Sequence, residues 1–71
     1  STDFLDTLKA YILHLGNTKK TAELLHIHRN TLLYRINKIE ELTNSSLEDY
    51  ETMMHLMISF YMMDKNNSPQ D

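Results

Sequence analysis

The sequence predicts an all-α domain of four helices, and three observations support this fold class. Apolar residues recur at the three- and four-residue spacing of a helix face along most of the chain. One glycine and one proline among 71 residues supply too few turn signals for an all-β fold. The chain has no cysteine, so no disulfide framework or thiolate metal site organises it, and its length fits one small domain.

The first helix is predicted from about Asp3 to Leu15, with Thr2 or Asp3 as its N-terminal cap. Its apolar residues are spaced to form one face. They are Phe4, Leu5, Leu8, Ile12 and Leu15. Gly16 is expected to take the left-handed conformation that ends the helix, because a residue without a β-carbon adopts it at least cost.

The second helix is predicted to begin at Asn17 or Thr18, either of which can cap it, and to end near Leu25. Ala22 and Leu25 face inward, and the small side chain of Ala22 suits a place where two helices cross closely. A three-residue corner, His26-Ile27-His28, follows, with its apolar middle residue tucked underneath. A short corner of this kind is typical of a helix-turn-helix.

The third helix is predicted from about Arg29 to Thr43, so that the motif spans about residues 18–43. At 100° per residue its buried stripe consists of Leu32, Ile36 and Ile39. The opposite side carries Asn30, Thr31, Tyr34, Asn37 and Lys38. These side chains combine donors and acceptors for base edges with a cation for phosphate, as in a helix that enters the major groove of DNA.

The fourth helix is predicted to start at Ser46 or Asp49 and to end near Asp64. Residues 1–64 then form the domain, and the polar residues 65–71 are expected to be a disordered tail. Because the chain opens on helix-start residues without a methionine, we expect it to be part of a longer protein.

Charge is distributed unevenly along the chain. Residues 17–39 contain five lysines or arginines against one acid, a net charge of +4, whereas residues 40–71 contain seven acids against one lysine, a net charge of −6. Residues 1–16 contribute −1, which gives the overall −3. A cationic middle segment predicts an anionic partner at one face, although the net charge alone argues against nucleic acid.

In addition to the contact of the third helix with DNA, the cations predict a contact with phosphate at the start of the second helix. Lys19 and Lys20 oppose the helix dipole there, which is explained if a phosphate binds beside them and beside the backbone N–H groups that follow Thr18. Arg29 is expected to face the same phosphate backbone, and His28 to cap the third helix with its ring near DNA. The alternative is an ordinary solvated surface, but such a surface usually mixes charges of both signs, and no acid occurs between positions 24 and 39.

Other chemistry is poorly supported by the sequence. The four histidines include an H-x-H pair in the corner, but they lack the spacing of a zinc site, so we expect no metal and no cofactor. No nucleophile elbow or glycine-rich phosphate loop occurs, which argues against an enzyme. No apolar run has the length of a membrane span and no signal peptide opens the chain, so a cytoplasmic location is expected.

The fourth helix is apolar nearly all round, and it contains all five methionines. Residues 50, 54, 57 and 61 share one stripe, and residues 53, 56, 60 and 63 share the neighbouring stripe. One stripe is expected to close the core over Leu5, Leu8 and Ile12 of the first helix and over Leu42. The other is expected to meet a second copy or an upstream domain. The rival hypothesis for function is therefore a protein-interaction module that docks through this helix.

The run I-H-R-N-T-L-L-Y-R-I-N-K-I-E-E-L over residues 27–42 resembles the C-terminal domain of PucR-type bacterial regulators, which include purine-catabolism and sugar-diacid activators. The resemblance covers residues 4 to about 60, and the core is also similar to the helix-turn-helix of the nucleoid protein Fis. It implies a DNA-binding module behind a sensory region, acting on two half-sites of double-stranded DNA as a homodimer. By position it implies as DNA-reading residues His28, Arg29, Asn30, Thr31, Tyr34 and Arg35.

Two features depart from the family pattern. Tyr50 stands where proline is common in the first turn of the last helix, which makes Asp49 the expected cap, and methionine replaces the usual leucines in that helix. Neither feature lies on the predicted DNA-binding face, whereas Arg35 falls on the flank of that face, where a phosphate or an acidic side chain is within reach.

Overall fold

The computed structural model describes residues 3–67, and over this range it consists of four α-helices. They are α1 (Asp3–Leu13), α2 (Thr18–Leu25), α3 (Arg29–Thr43) and α4 (Tyr50–Asn67). No strand occurs within the described range, and the predicted all-α class is confirmed. The first helix is central, since it packs against each of the other three.

The core lies where α1 packs against the other three helices. Its buried apolar side chains are those of Ile12, Ala22, Leu32, Ile36, Ile39, Leu47 and Phe60. The predicted buried stripe of α3 is therefore confirmed, and Leu25 and Ile27 are half-buried against this core as expected. Burying these side chains is the main favourable term in the folding of so small a domain.

Two predicted core residues are exposed instead. Leu5 is 55% exposed and Leu42 is 75% exposed. Leu5 lies in the first turn of α1 and Leu42 in the last turn of α3, and the neighbouring side chains of both turns are exposed as well. The prediction that both would lie in the core was wrong, because a residue in a terminal turn can be on the helix repeat and still have too few neighbours to be buried.

The first helix ends two residues earlier than predicted, at Leu13. Leu15 adopts the left-handed conformation with φ of 56°, and the N–H of Gly16 donates to the carbonyl of Tyr11 at 2.9 Å. This bond closes the last turn in the pattern that usually places glycine at the left-handed position. Gly16, with φ of 77°, takes the left-handed conformation expected of it, and Leu15 precedes it in the same region.

The connection from α3 to α4 depends on Glu40. Its Oε2 accepts a hydrogen bond from the backbone N–H of Leu47 at 2.8 Å, and the Leu47 side chain is buried. Glu40 is thus more than a solvated residue at the helix end. The carboxylate satisfies a backbone donor in the segment that carries a core leucine.

The fourth helix starts at Tyr50, and Asp49 caps it by accepting from the N–H of Thr52 at 3.1 Å. It continues to Asn67, three residues past the predicted end, so the tail predicted at 65–71 begins as helix and its last four residues lie outside the described range. Lys9 Nζ of α1 lies 2.6 Å from Asp64 Oδ1 of α4. None of the helices among the described residues combines the length and the apolarity needed to cross a membrane.

Candidate DNA interface

The start of α2 is fixed by Asn17. Its side-chain Oδ1 accepts from the N–H of Lys20 at 2.9 Å, and its carbonyl oxygen accepts from the hydroxyl of the fully buried Thr21 at 2.7 Å. Of the two predicted caps, Asn17 is the one observed. Lys19 and Lys20 are exposed at this positively polarised helix end, and Thr18 is half-buried beside them.

The corner between α2 and α3 has the predicted length. His26 takes the left-handed conformation with φ of 56° and ψ of 43°, and the N–H of Ile27 donates to the carbonyl of Ala22 at 3.1 Å. Ala22 is 7% exposed, which agrees with a small residue at a close helix crossing. The corner turns the chain within three residues and brings α3 across α2.

His28 caps α3, as predicted. Its backbone is extended, and its ring Nδ1 accepts from the N–H of Asn30 at 3.0 Å. A ring nitrogen that accepts carries no proton, so the neutral ring holds its proton on Nε2. The exposed His28 therefore presents an N–H donor at the start of the helix.

The outer face of α3 is exposed and polar. It carries Arg29, Asn30, Thr31, Tyr34 and Asn37. Tyr34 is 61% exposed, and within residues 3–67 none of these five side chains forms a hydrogen bond or ion pair with the rest of the chain. The face therefore offers hydrogen-bonding groups and a cation that the fold itself does not use.

Arg35 and Lys38 differ from this face because each has an intramolecular partner. Arg35 Nη1 donates to Thr7 Oγ1 at 3.3 Å, and Thr7 on α1 is fully buried. Lys38 Nζ lies 3.6 Å from Glu41 Oε1 in an exposed pair one helical turn apart, which is weak in water. Arg35 is thus turned from the flank of α3 toward α1, whereas Lys38 can exchange its partner for a phosphate.

Sequence reasoning did not identify the role of Thr7, and it left Asn37 out of the candidate site. The link from Thr7 to Arg35 joins residues 28 positions apart, so no local pattern marks it. Asn37 was recognised on the outer side of the helix, and its exposure shows that it shares the face with the other candidates.

The histidines do not form a metal site within the described range. No group of three or more histidine, cysteine, aspartate or glutamate side chains is placed to hold an ion among residues 3–67. His14 has its own partner, since its Nδ1–H donates to the carbonyl of Ala10 at 2.7 Å.

Two helices joined by a tight corner, with an exposed polar face on the second, define a helix-turn-helix domain of the DNA-binding type. Comparison with known families identifies the family within this class. Residues 4–62 match the PucR C-terminal helix-turn-helix domain, so the chain belongs to that family, and the resemblance seen in the sequence is confirmed.

Several similar proteins are named as transcriptional activators or regulators. The chain is 45% identical over 65 residues to the proline-responsive transcriptional activator PutR of Bacillus subtilis (strain 168), an alignment covering 92% of this chain and 16% of that protein. It is 43% identical over 58 residues to the purine catabolism regulatory protein of the same organism, covering 82% of this chain and 11% of that protein. The carbohydrate diacid regulator of Escherichia coli (strain K12) is 38% identical over 56 residues, covering 79% and 14%.

The chain thus spans less than a fifth of the length of each of these relatives. No solved structure gave a significant match. Family membership establishes a DNA-binding domain of the transcription-regulator type.

Proposed function

We propose that this chain binds double-stranded DNA sequence-specifically, with α3 in the major groove, as the C-terminal domain of a bacterial transcriptional regulator. The outer face of α3 carries the proposal. It is polar, exposed and unused by the fold, and it follows a corner of helix-turn-helix geometry. In this docking mode the N-terminal part of the second helix reads base edges while the first helix crosses the backbone.

Phosphate contacts are assigned to both helix starts. Lys19 and Lys20 supply charge at the start of α2, beside the N–H groups that follow Thr18. At the start of α3, Arg29 supplies a second cation and the Nε2–H of His28 supplies a neutral donor. Lys38 completes the set farther along the helix by leaving its weak pair with Glu41.

Base reading is assigned to Asn30, Thr31 and Tyr34. Asparagine can pair with adenine through two hydrogen bonds, and threonine and tyrosine can hydrogen-bond or pack against a thymine methyl group. All three side chains are exposed on the outer face. Arg35 either contacts a phosphate from the flank or holds α3 against α1 through Thr7, and its existing hydrogen bond favours the positioning role.

The wider setting of the domain is also a proposal. Because the relatives are several times longer than this chain, a sensing region is proposed in the rest of the protein. Two copies are proposed to bind two half-sites, since recognition helices about 34 Å apart reach successive major grooves. The pairing would run through α4 or through upstream domains, and the complex would act in the cytoplasm.

The salt dependence of binding tests phosphate contact directly. Arg29→Ala and Lys38→Ala should each weaken binding to a duplex and lower the slope of log K against log salt by about one unit. On a duplex with one half-site, where dimerisation does not contribute, Lys65→Ala is the matched control, because it removes an exposed lysine from α4 and should leave the slope unchanged. An unchanged slope for both test variants would remove these two residues from the interface.

Selection from random duplexes, followed by binding to the selected site and its variants, tests base reading. Asn30→Ala should flatten the discrimination between site variants by about 1–3 kcal/mol. Asn66→Ala on α4 serves as its control. If Asn30→Ala weakened binding to every duplex equally, the residue would be a backbone contact, and major-groove reading by Asn30 would be rejected.

One observation favours a second function, in protein association. The outer side of α4 exposes Tyr50, Met54, Ile58, Tyr61 and Met62, each more than half accessible. Monomeric proteins rarely expose so continuous an apolar stripe. The interaction module would be favoured over a DNA-binding domain by two results together: weak binding to duplex DNA with no steep salt dependence, and association of the chain through α4.

A further inference from the structure

The fourth helix has two apolar faces, and the fold covers one of them. The covered face consists of Met53, Leu56, Met57 and Phe60, which pack against or within the core. The sequence left open which stripe would be internal, and the structure places residues 53, 56 and 60 inside while Met63, of the same stripe, is 48% exposed. The second face is turned away from the core, and its side chains at Met54, Ile58 and Tyr61 are each more than half exposed.

The outer face has a regular spacing. Glu51, Met54, Ile58, Tyr61 and Lys65 follow one another at intervals of three, four, three and four residues, and all five are exposed. This is the heptad spacing that forms the seam of a two-helix coiled coil. Three apolar residues thus occupy the middle of the seam, an acid occupies its N-terminal end, and a lysine occupies its C-terminal end.

The seam is complementary to itself in one orientation. If two copies of α4 pair antiparallel about Ile58, residue 51 of each copy lies opposite residue 65 of the other, because both are seven positions from the centre. Each Glu51 then faces Lys65 of the second copy and Ile58 faces Ile58 across the two-fold axis, while Met54 meets Met62 and Tyr61 meets His55, both just beside the seam. A parallel pair would instead place glutamate beside glutamate and lysine beside lysine.

We propose that the outer face of α4 is a two-fold interface with a second copy of this chain, formed by antiparallel pairing centred on Ile58. The inference rests on the proposed pairing of two copies on DNA, and it specifies the surface that joins them. The exposed apolar residues and their flanking charges would bury roughly 500–700 Å² per copy, near the lower end for specific assemblies. Such an area fits a reversible dimer.

Sedimentation equilibrium of the 71-residue chain over micromolar to hundreds of micromolar concentrations tests the interface. The parent chain should be a reversible dimer, and Ile58→Glu should raise the dissociation constant at least about tenfold, because two carboxylates would meet at the axis. Leu42→Glu, at an exposed leucine of α3, is the matched control and should dimerise normally. A monomeric parent chain at the highest concentration, or equal effects of the two substitutions, would overturn the proposal.

Charge reversal tests the orientation. Glu51→Lys and Lys65→Glu should each weaken the dimer, because each places like charges together at both ends of the seam. The double variant Glu51→Lys/Lys65→Glu restores opposite charges across an antiparallel pair and should recover most of the affinity. If the double variant were as weak as the single variants, or if the single variants dimerised like the parent chain, antiparallel pairing about Ile58 would be rejected.

The proposed DNA binding and the proposed α4 interface can be rejected independently of each other. Ile58 lies on α4, away from the outer face of α3, so Ile58→Glu should retain the salt slope for binding to a duplex with one half-site. Loss of dimerisation with this slope retained would support both proposals. A dimeric parent chain that shows no salt-dependent DNA binding would reject the function and leave the interface intact.

Discussion

The α2–α3 pair and α4 place their apolar residues in contrasting ways. In α3 the apolar residues of the core form one narrow stripe, and the opposite side is polar and exposed. In α4 apolar residues surround the helix, and four of them supply the contact with the core. A helix with a single apolar stripe can bury only that face. In a helix with two apolar stripes, the packing of the neighbouring helices determines which one is buried.

The same contrast appears in the charges. The segment 17–39 has a net charge of +4, and residues 40–71 have a net charge of −6. One part of the molecule is therefore suited to an anionic surface, and the other is repelled by it. Within this segment α4 itself contains two acids and one lysine, and its exposed apolar side chains suit contact with another protein chain better than contact with DNA.

The largest expected effect compares the two faces of α4. Phe60→Ala should destabilise the domain by about 3–5 kcal/mol, because Phe60 is 5% exposed and its removal leaves a cavity. Ile58→Ala should change the free energy of unfolding by less than about 0.5 kcal/mol, because that side chain is 58% exposed. Urea denaturation at low micromolar concentration, where copies are separate, measures both values.

Since a domain of this size has little stability to lose, Phe60→Ala can abolish the cooperative transition altogether. Phe60→Leu retains most of the side-chain volume and should restore a transition at lower urea. Equal destabilisation by Phe60→Ala and Ile58→Ala would contradict the division of α4 into an inner and an outer face.

The next effect concerns the connection between the two regions. Glu40→Ala should cost about 1–3 kcal/mol, because it leaves the N–H of Leu47 without its hydrogen-bond partner. Glu41→Ala is the matched control, since its carboxylate pairs weakly with Lys38 and is 70% exposed. Thermal unfolding of both variants checks the difference, and similar melting temperatures would mean that water replaces the Glu40 carboxylate.

Local patterns predicted the helix-turn-helix well. The ends of α3 and the cap at His28 were predicted from short-range signals, and the structure places them at the predicted residues. The stripe of Leu32, Ile36 and Ile39 required only the helix repeat. Each of these features depends on residues within one or two turns of each other.

Features that depend on distant residues were not predictable in this way. Glu40 bonds seven residues ahead and Arg35 bonds 28 residues back, and neither partner is visible in the local sequence. The exposure of Leu42 and the inner face of α4 likewise depend on which helix lies alongside. The DNA-reading residues remain predictions, because exposure on α3 is necessary for base contact but does not establish it.

A smaller effect tests the corner of the helix-turn-helix. His26→Gly should stabilise the domain by roughly 0.5–1 kcal/mol, because glycine adopts the left-handed conformation of this position without steric strain. Leu15→Gly is a matched substitution at the equivalent position after α1 and should act in the same direction. Chemical denaturation measures both, and destabilisation by His26→Gly alone would show that the histidine ring makes a contact that outweighs the strain.

The smallest effect is a dependence of stability on alkaline pH, and it arises where α1 meets the acidic part of the chain. Burial raises the pKa of the Tyr11 hydroxyl above its ordinary value, and the carboxylates of Glu40 and Glu48 raise it further. The folded state therefore holds this proton more tightly than the unfolded state, so stability should fall as the pH rises above about 10. Tyr11→Phe has no proton to lose and should show a smaller fall, whereas Tyr34→Phe, at an exposed tyrosine of α3, should behave like the parent chain. Urea midpoints between about pH 9 and 11 measure the difference, and identical curves for Tyr11→Phe and the parent chain would show that neither burial nor the two carboxylates raise the pKa of Tyr11.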